Sequence, residues 1–377
     1  MRLCFLTSTP WNVTLGSGTF AGISGLARGL QEIGTDVSVL SCADADTRTR
    51  SRLRFNRGLL QNELSGKFEA TIGFDLDGFL LPGQSDVPHI ACPKGVLADE
   101  TLYENGPAQR KLGAQSRYEK HNVQHAAHVI ATSQYSAQRI RDLYGPIPGG
   151  ISVVPELIPV SYWRSLFRGV RPRPKDGTFR VLCVCRFYRR KRIDQLIQAI
   201  AVLDVNNGIC LRLVGNGPES ASLRRMVADL GLDSRVAFLG DLSAEALAEE
   251  YVHCDAFALM SAQEGFGIVL LEAMAAGKPI IAAHAAALPE VAPHALFVDP
   301  VTPSAIAETI LRLRGDARLC CRIAEAGLEL VPQFDVANVA RQFLDVIDTV
   351  VNTAVPLRPA LFSSGGESTS TAPGFAG

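Results

Sequence analysis

At 377 residues the chain is longer than one hydrophobic core comfortably serves, so two domains are expected. Its 37 Lys and Arg against 38 Asp and Glu leave a formal charge of −1, which supplies no global field for holding nucleic acid. A hydrophobic share of 47% with 20% charge is ordinary for a soluble globular chain, and no apolar run approaches the roughly 20 residues of a membrane-spanning helix.

The nine cysteines include no Cys-x2-Cys pair of the metal-binding kind. Cys4, Cys92, Cys183, Cys185 and Cys210 lie in apolar, strand-like runs, so free thiols in a reducing cytosol are expected rather than a disulfide framework. The first residues lead straight into a strand with no signal peptide ahead of it, and a cytoplasmic location is expected.

Residues 2–7 read as a buried parallel strand, a short apolar run without alternation. A loop over 8–18 ends in Gly16-Ser17-Gly18. From Thr19 a helical pattern places Phe20, Ile23, Leu26, Leu30 and Ile33 on one face, and Gly34 stops it. Strand 36–40 completes a βαβ unit with a glycine-bearing first turn. Gly16 and Gly18 are candidate contacts, because backbone without a Cβ closes on a phosphate or an acceptor; a tight turn alone would also ask for glycine. The turn lacks the full G-x-G-x-x-G spacing and strand 36–40 ends without an acidic residue, which sets aside a nicotinamide cofactor.

Arg48, Arg50, Arg52, Arg54 and Arg57 follow. The simpler reading is a solvated surface; the sharper one is an anionic acceptor or a peripheral contact with the acidic inner face of a membrane. Strands are expected at 69–74 and 87–92, the second leading into Pro93-Lys94-Gly95, with His89 reading as a structural residue. A helix over 117–126 and a strand over 128–131 come next. Thr132-Ser133 caps a helix over 134–144 that Gly145-Pro146 ends, and strand 151–155 runs into Glu156.

The stretch 168–178, with Gly169, Pro172, Pro174 and Gly177 among basic residues, is the best linker in the chain. After it the α/β rhythm restarts: strand 179–185, a helix striped by Ile193, Leu196, Ile197 and Ile200, strand 209–214, the turn Gly215-Asn216-Gly217-Pro218, and a helix through Leu230. The expected organisation is a first domain over 1–167, a second over 179–334, a closing helix over 335–352 and a disordered tail over 353–377.

Strand 179–185 delivers Arg186, and Lys191 follows at the helix start. A cation ending a buried strand is costly without a partner, and fixed cations there suit a leaving group on which negative charge develops. The run Arg189-Arg190-Lys191-Arg192 also fits plain solvent exposure. Strand 256–260 then opens into Glu264-Gly265-Phe266-Gly267 and a helix closed by Gly277. Strand, glycine turn and helix aim unpaired N–H groups at an anion. Glu264 and Glu272 would repel that anion and suit hydroxyls instead, so the ligand they describe together is a nucleotide sugar. In isolation each would read as an ordinary cap or surface acid.

The Glu264–Glu272 spacing around Glu-Gly-Phe-Gly resembles the E-x7-E signature of retaining GT-B glycosyltransferases of the family 4 type. With Arg186, Lys191 and the two glycine turns, the resemblance extends over about residues 1–350. It implies an α/β GT-B fold, two Rossmann-like doubly wound domains facing a central cleft, with the terminal helix crossing back to brace the first. It implies transfer of a hexose-type sugar, with retention, from a UDP- or GDP-linked donor to a hydroxyl of a glycan, lipid-linked or small-molecule acceptor, as in cell envelope polysaccharide biosynthesis. No cofactor beyond the donor and no metal are implied, and Asp75-Leu76-Asp77, which resembles the D-x-D metal motif of a different transferase fold, reads as a loop and cap feature.

By the same resemblance Arg186 and Lys191 meet the diphosphate. Glu264 and the N–H groups of Gly265, Phe266 and Gly267 meet the sugar and its phosphate, and Glu272 holds the ribose hydroxyls. Gly215 and Gly217 lie against the nucleotide, Gly16 and Gly18 at the first domain's edge of the cleft. Glu290, in Leu288-Pro289-Glu290, is a further contact, although Ala286-Ala287 stand where Gly-Gly is usual. Two more positions depart from the pattern. Lys94 takes the place of a histidine that contacts the donor sugar, and Glu156 replaces the Asn of Pro-Asn-Gly. The alternatives are a catalytically degenerate nucleotide-sugar-binding protein, which Lys94 motivates, and a sugar-phosphate-accepting synthase on the same fold.

Overall fold

The computed structural model describes residues 1–9, 13–42, 48–174 and 176–353, with backbone only for 13–17. The tail expected beyond residue 353 lies outside the described residues. Two six-stranded sheets form the frame, and every strand pair in them is parallel. The first sheet holds β1 (Arg2–Thr7), β2 (Asp36–Ser41), β3 (Ala70–Phe74), β4 (His89–Cys92), β5 (His128–Ala131) and β6 (Ile151–Val153), in the order β2-β1-β3-β4-β5-β6. The second holds β7 (Phe179–Val184), β8 (Ile209–Val214), β9 (Val236–Gly240), β10 (Ala256–Leu259), β11 (Ile280–Ala283) and β12 (Leu296–Val298), in the order β12-β11-β10-β7-β8-β9. Central strands such as β3, β10 and β11 are buried along their whole length, which is why they read as apolar runs without alternation.

The second order is that of dinucleotide-binding sheets, and it reverses between β7 and β10. The crevice at the carboxyl ends of those two strands is where such a sheet binds its ligand. In the first sheet the order reverses between β1 and β3, so the segments after Thr7 and Phe74 meet there.

Three expectations need correction. The first helix runs Val13–Glu32, so Gly16 and Gly18 are helical and form no turn. Glycine inside a helix costs about 1 kcal/mol against alanine, but here packing uses the small residues further along. A Cβ on Gly25 would come within 2.6 Å of Leu157 Cδ1, and one on Gly29 would overlap Val336 of the closing helix. The helix expected at 117–126 is longer, Gly106–His125. The arginine run is a helix, Thr49–Leu59, and is solvated only in part: Arg50, Arg54 and Arg57 are exposed, whereas Arg52 is buried.

The chain crosses between the two cores. Ile158, Val160 and Trp163 bury in the core of the second sheet, where the Trp163 and Tyr251 rings meet edge to face at 5.9 Å. The closing helix Val336–Thr353 returns to the first sheet and buries Val339, Phe343 and Ile347 beside Phe5 and Leu30. All nine cysteines are free.

Candidate functional site

The segments that leave β7 and β10 lie side by side and carry the charged residues singled out above. Lys191, buried at the end of a short turn after β7, donates from Nζ to the Glu264 carboxylate, which also accepts from Ser261 Oγ at 3.1 Å. The Ala262 N–H donates to the Arg190 carbonyl at 2.8 Å and fastens the two segments together. Each charge thus has the partner that burial demands.

Arg186 stands on a loop stitched to the glycine turn after β8. The Cys185 N–H donates to Val214 O at 3.1 Å, Phe187 N–H to Asn216 O at 3.0 Å, and Glu219 N–H to Phe187 O at 3.0 Å. Gly215 has φ +117°, and a Cβ there would overlap the Cys185 carbonyl; a Cβ on Gly217 would sit 2.5 Å from Phe187 O. Both glycines therefore allow close contact with the loop that aims Arg186. The Arg186 guanidinium lies 3.8 Å from Asp241 Oδ1.

The helix Ile268–Ala275 starts from Gly267 at φ +96°, a left-handed conformation that glycine adopts without strain, and has no side-chain cap. Glu272 lies one turn into this helix. Its Oε2 accepts from the Tyr251 hydroxyl at 2.7 Å, and burial raises its pKa to about 7. Phe266 is buried, with its ring 5.8 Å from Phe334.

The first domain closes directly over this turn. The Gly265 carbonyl accepts from Ser133 Oγ at 2.7 Å, Ser136 Oγ at 3.0 Å and Thr132 Oγ1 at 3.2 Å. A Cβ on Gly265 would lie 3.0 Å from the Lys94 carbonyl. Glu290 reaches across and accepts from the N–H groups of Gln134 (2.8 Å) and Tyr135 (3.2 Å), at the start of the helix Gln134–Tyr144. Its carboxylate is thus engaged with the first domain. A crevice of about 810 Å³ opens beside the site, between Tyr103 and Asn105 on one side and Arg189, Arg192 and Glu219 on the other.

Lys94 is placed differently. Its ammonium group forms an ion pair with Glu156 Oε1 at 2.9 Å and lies 5.4 Å from the centre of the Phe74 ring. Gly18 faces open space from its helix. Asp77 of the D-x-D run is fully buried and collects Ser8 N–H (2.6 Å), Ser8 Oγ (2.8 Å), Asn56 Nδ2 (2.9 Å) and Arg52 Nη2 (3.3 Å). Its oxygens are spent on fixing the β1 loop, and no cluster suited to a metal occurs among the described residues. His89 is structural: it is buried between Thr71 Oγ1 and Asn122 Oδ1, each at 2.9 Å, and burial lowers its pKa to about 4.

Sequence reasoning did not find the acids Glu100 and Glu104, which hold Arg190, or the hydroxyl cluster on Gly265. The only signal for the latter was Thr132-Ser133, read as a helix cap. Ser133 does cap, accepting from the Ser136 N–H at 3.0 Å, while its own hydroxyl hydrogen goes to Gly265. Among the described residues no helix is long and apolar enough to cross a membrane.

Among curated proteins, the chain is 39% identical over 98 residues to N-acetyl-alpha-D-glucosaminyl L-malate synthase of Bacillus anthracis, covering 26% of this chain and 25% of that one. It is 32% identical over 191 residues to D-inositol 3-phosphate glycosyltransferase of Nocardia farcinica, covering 47% of this chain and 40% of that one. The chain therefore spans less than half the length of these relatives. Among solved structures it superposes on sucrose-phosphate synthase from Thermosynechococcus elongatus with a TM-score of 0.79 at 21% identity, over 93% of this chain and 99% of that one. Anabaena HepE in complex with UDP and glucose superposes with a TM-score of 0.71 at 20% identity, over 93% of this chain and 100% of that one. The architecture is thus the GT-B fold, and residues 170–329, which carry the second sheet's switch point, match the family described as glycosyl transferases group 1.

Proposed function

We propose that this protein is a nucleotide-sugar-dependent glycosyltransferase that moves a hexose-type sugar from a UDP- or GDP-linked donor to an acceptor hydroxyl, with retention at the anomeric carbon. The observation that carries the reading is the convergence of Lys191, Glu264 and the uncapped helix start at Gly267 on the β7/β10 switch point. The family match over 170–329 and the glycosyltransferase and synthase names of the relatives support it.

In this reading the donor diphosphate lies between Arg186, Lys191 and the helix start. Glycosidic bond cleavage leaves negative charge on the diphosphate, and fixed cations act where that charge develops, for about 3 kcal/mol of barrier lowering. Glu264 accepts hydrogen bonds from sugar hydroxyls and Glu272 from the ribose. The leaving phosphate takes the proton of the incoming hydroxyl on the same face. The acceptor is a glycan, lipid-linked or small-molecule hydroxyl.

A second reading, a binding protein without turnover, draws on Lys94 in place of a histidine. Lys94 is engaged in an ion pair with Glu156. The first test is a thermal-shift panel of UDP, GDP, ADP and their sugar conjugates. A ligand at 100 times its Kd adds about 2.7 kcal/mol of stability, and one base family is expected to stand out. Turnover of that nucleotide sugar is then expected to fall about 100-fold in Arg186→Ala/Lys191→Ala. Unchanged turnover in that variant would remove the site assignment, and stabilisation without any turnover would favour the binding protein.

A further inference from the structure

Arg190 precedes Lys191 but reaches into the other domain. Its Nη1 lies 2.9 Å from Glu104 Oε1 and its Nη2 3.0 Å from Glu100 Oε2. The guanidinium also stacks over the Tyr188 ring at 4.6 Å. The three charged side chains are nearly sealed, at 10%, 4% and 17% exposure for Arg190, Glu104 and Glu100. The Arg190 Nε–H is buried and has no hydrogen-bond partner among the described residues. Charges sealed in this way are stable only while their partners stay in place. Drawing the domains apart would return all three to water, so the cluster is a contact of the closed arrangement alone.

The same residue is tied to the candidate donor site through its backbone. Its carbonyl accepts from the Ala262 N–H, two residues before Glu264, and the next side chain is the Lys191 that binds Glu264. Further contacts across the cleft, from Gly265 and Glu290, also fall on the loops of that site. We propose that Arg190 is a positioning residue, which couples the apposition of the two domains to the placement of Lys191 and Glu264 without touching the donor. The part of this inference that concerns turnover rests on the glycosyltransferase reading; the part that concerns closure does not.

The test uses the full chain with Arg190→Ala, Arg190→Lys and the pair Glu100→Gln/Glu104→Gln, each checked for folding by circular dichroism. In small-angle scattering without ligand, Arg190→Ala and the glutamine pair are expected to have a larger radius of gyration than the parent; an unchanged radius would overturn the coupling. With the nucleotide sugar found in the thermal-shift panel, kcat for nucleoside diphosphate release is expected to fall about tenfold to a hundredfold in Arg190→Ala. Affinity for the nucleoside diphosphate should fall clearly less than kcat, and Arg190→Lys should recover part of the rate. An equal fall in affinity and kcat would make Arg190 a donor contact and overturn the proposal. Should Arg190→Ala not fold, the glutamine pair, which keeps the shape of both acids, carries the same comparison. A parent protein that turns over no nucleotide sugar would refute the glycosyltransferase reading, and the scattering result would still decide whether Arg190 holds the domains together.

Discussion

Lys94 and Glu156 form a buried ion pair, Nζ to Oε1 at 2.9 Å, between the loops that follow β4 and β6. These are two positions at which the sequence departs from the pattern it resembles, and each departure supplies the partner of the other. Gly22 makes the room: a Cβ there would stand 2.5 Å from Glu156 Oε2. Removing one member leaves a charge sealed from water, so Lys94→Met or Glu156→Leu alone should cost about 3 kcal/mol. The double variant should cost clearly less than the sum, as read from urea melts. Additive losses would show that the two are not a linked pair.

Glu272 sets a pH dependence. Its pKa is raised to about 7 from an ordinary value of 4.5, so the folded state holds the proton more tightly than the unfolded chain. Its contribution is therefore neutral below about pH 4.5, and stability is lost as pH rises from there to about 7, by up to about 3 kcal/mol. Glu272→Gln should flatten that slope in urea melts taken between pH 5 and 8. If the ionised carboxylate accepts the ribose hydroxyls, nucleotide affinity should instead rise through pH 7 in the parent and stay level in the variant.

Asp77 is a structural acid. Asp77→Ala leaves Arg52, Asn56 and Ser8 without their shared acceptor and should destabilise by about 3–5 kcal/mol. Because the carboxylate is spent on these donors, EDTA should change neither the melting temperature nor turnover. A fall on adding EDTA, reversed by a divalent ion, would return this run to the list of metal sites.

Two glycines separate packing from ligand contact. Gly215→Ala places a Cβ against the Cys185 carbonyl at φ +117° and should cost at least about 2 kcal/mol. Gly18→Ala meets nothing within 4 Å in a helix and should stabilise by about 0.5–1 kcal/mol. A stable Gly18→Ala that has lost turnover would mean that a ligand approaches the backbone there after all.

The two-part α/β layout and the strand-turn-helix unit around Glu264 were legible because short-range patterns encode them. Apolar runs, a 3.6-residue stripe and glycines at turns are local signals. Local signals also misled. Gly16 and Gly18 look like a turn, yet they belong to the glycine-rich helix Val13–Glu32, whose later glycines admit Leu157 and Val336. The strand Val236–Gly240 and the helix Ala244–His253 went unread. What only the tertiary structure decided is which charges meet. Arg190 finds Glu104 across 86 residues, and Gly265 finds Ser133 across 132. Such pairs depend on how two sheets face each other over a crevice, and no periodicity along the chain records that geometry. The amino-acid sequence by itself determined the two α/β halves and which charged and glycine residues each carries to its strand ends; the way the halves meet, with Arg190, Gly265 and Glu290 reaching into the first domain, came from packing alone.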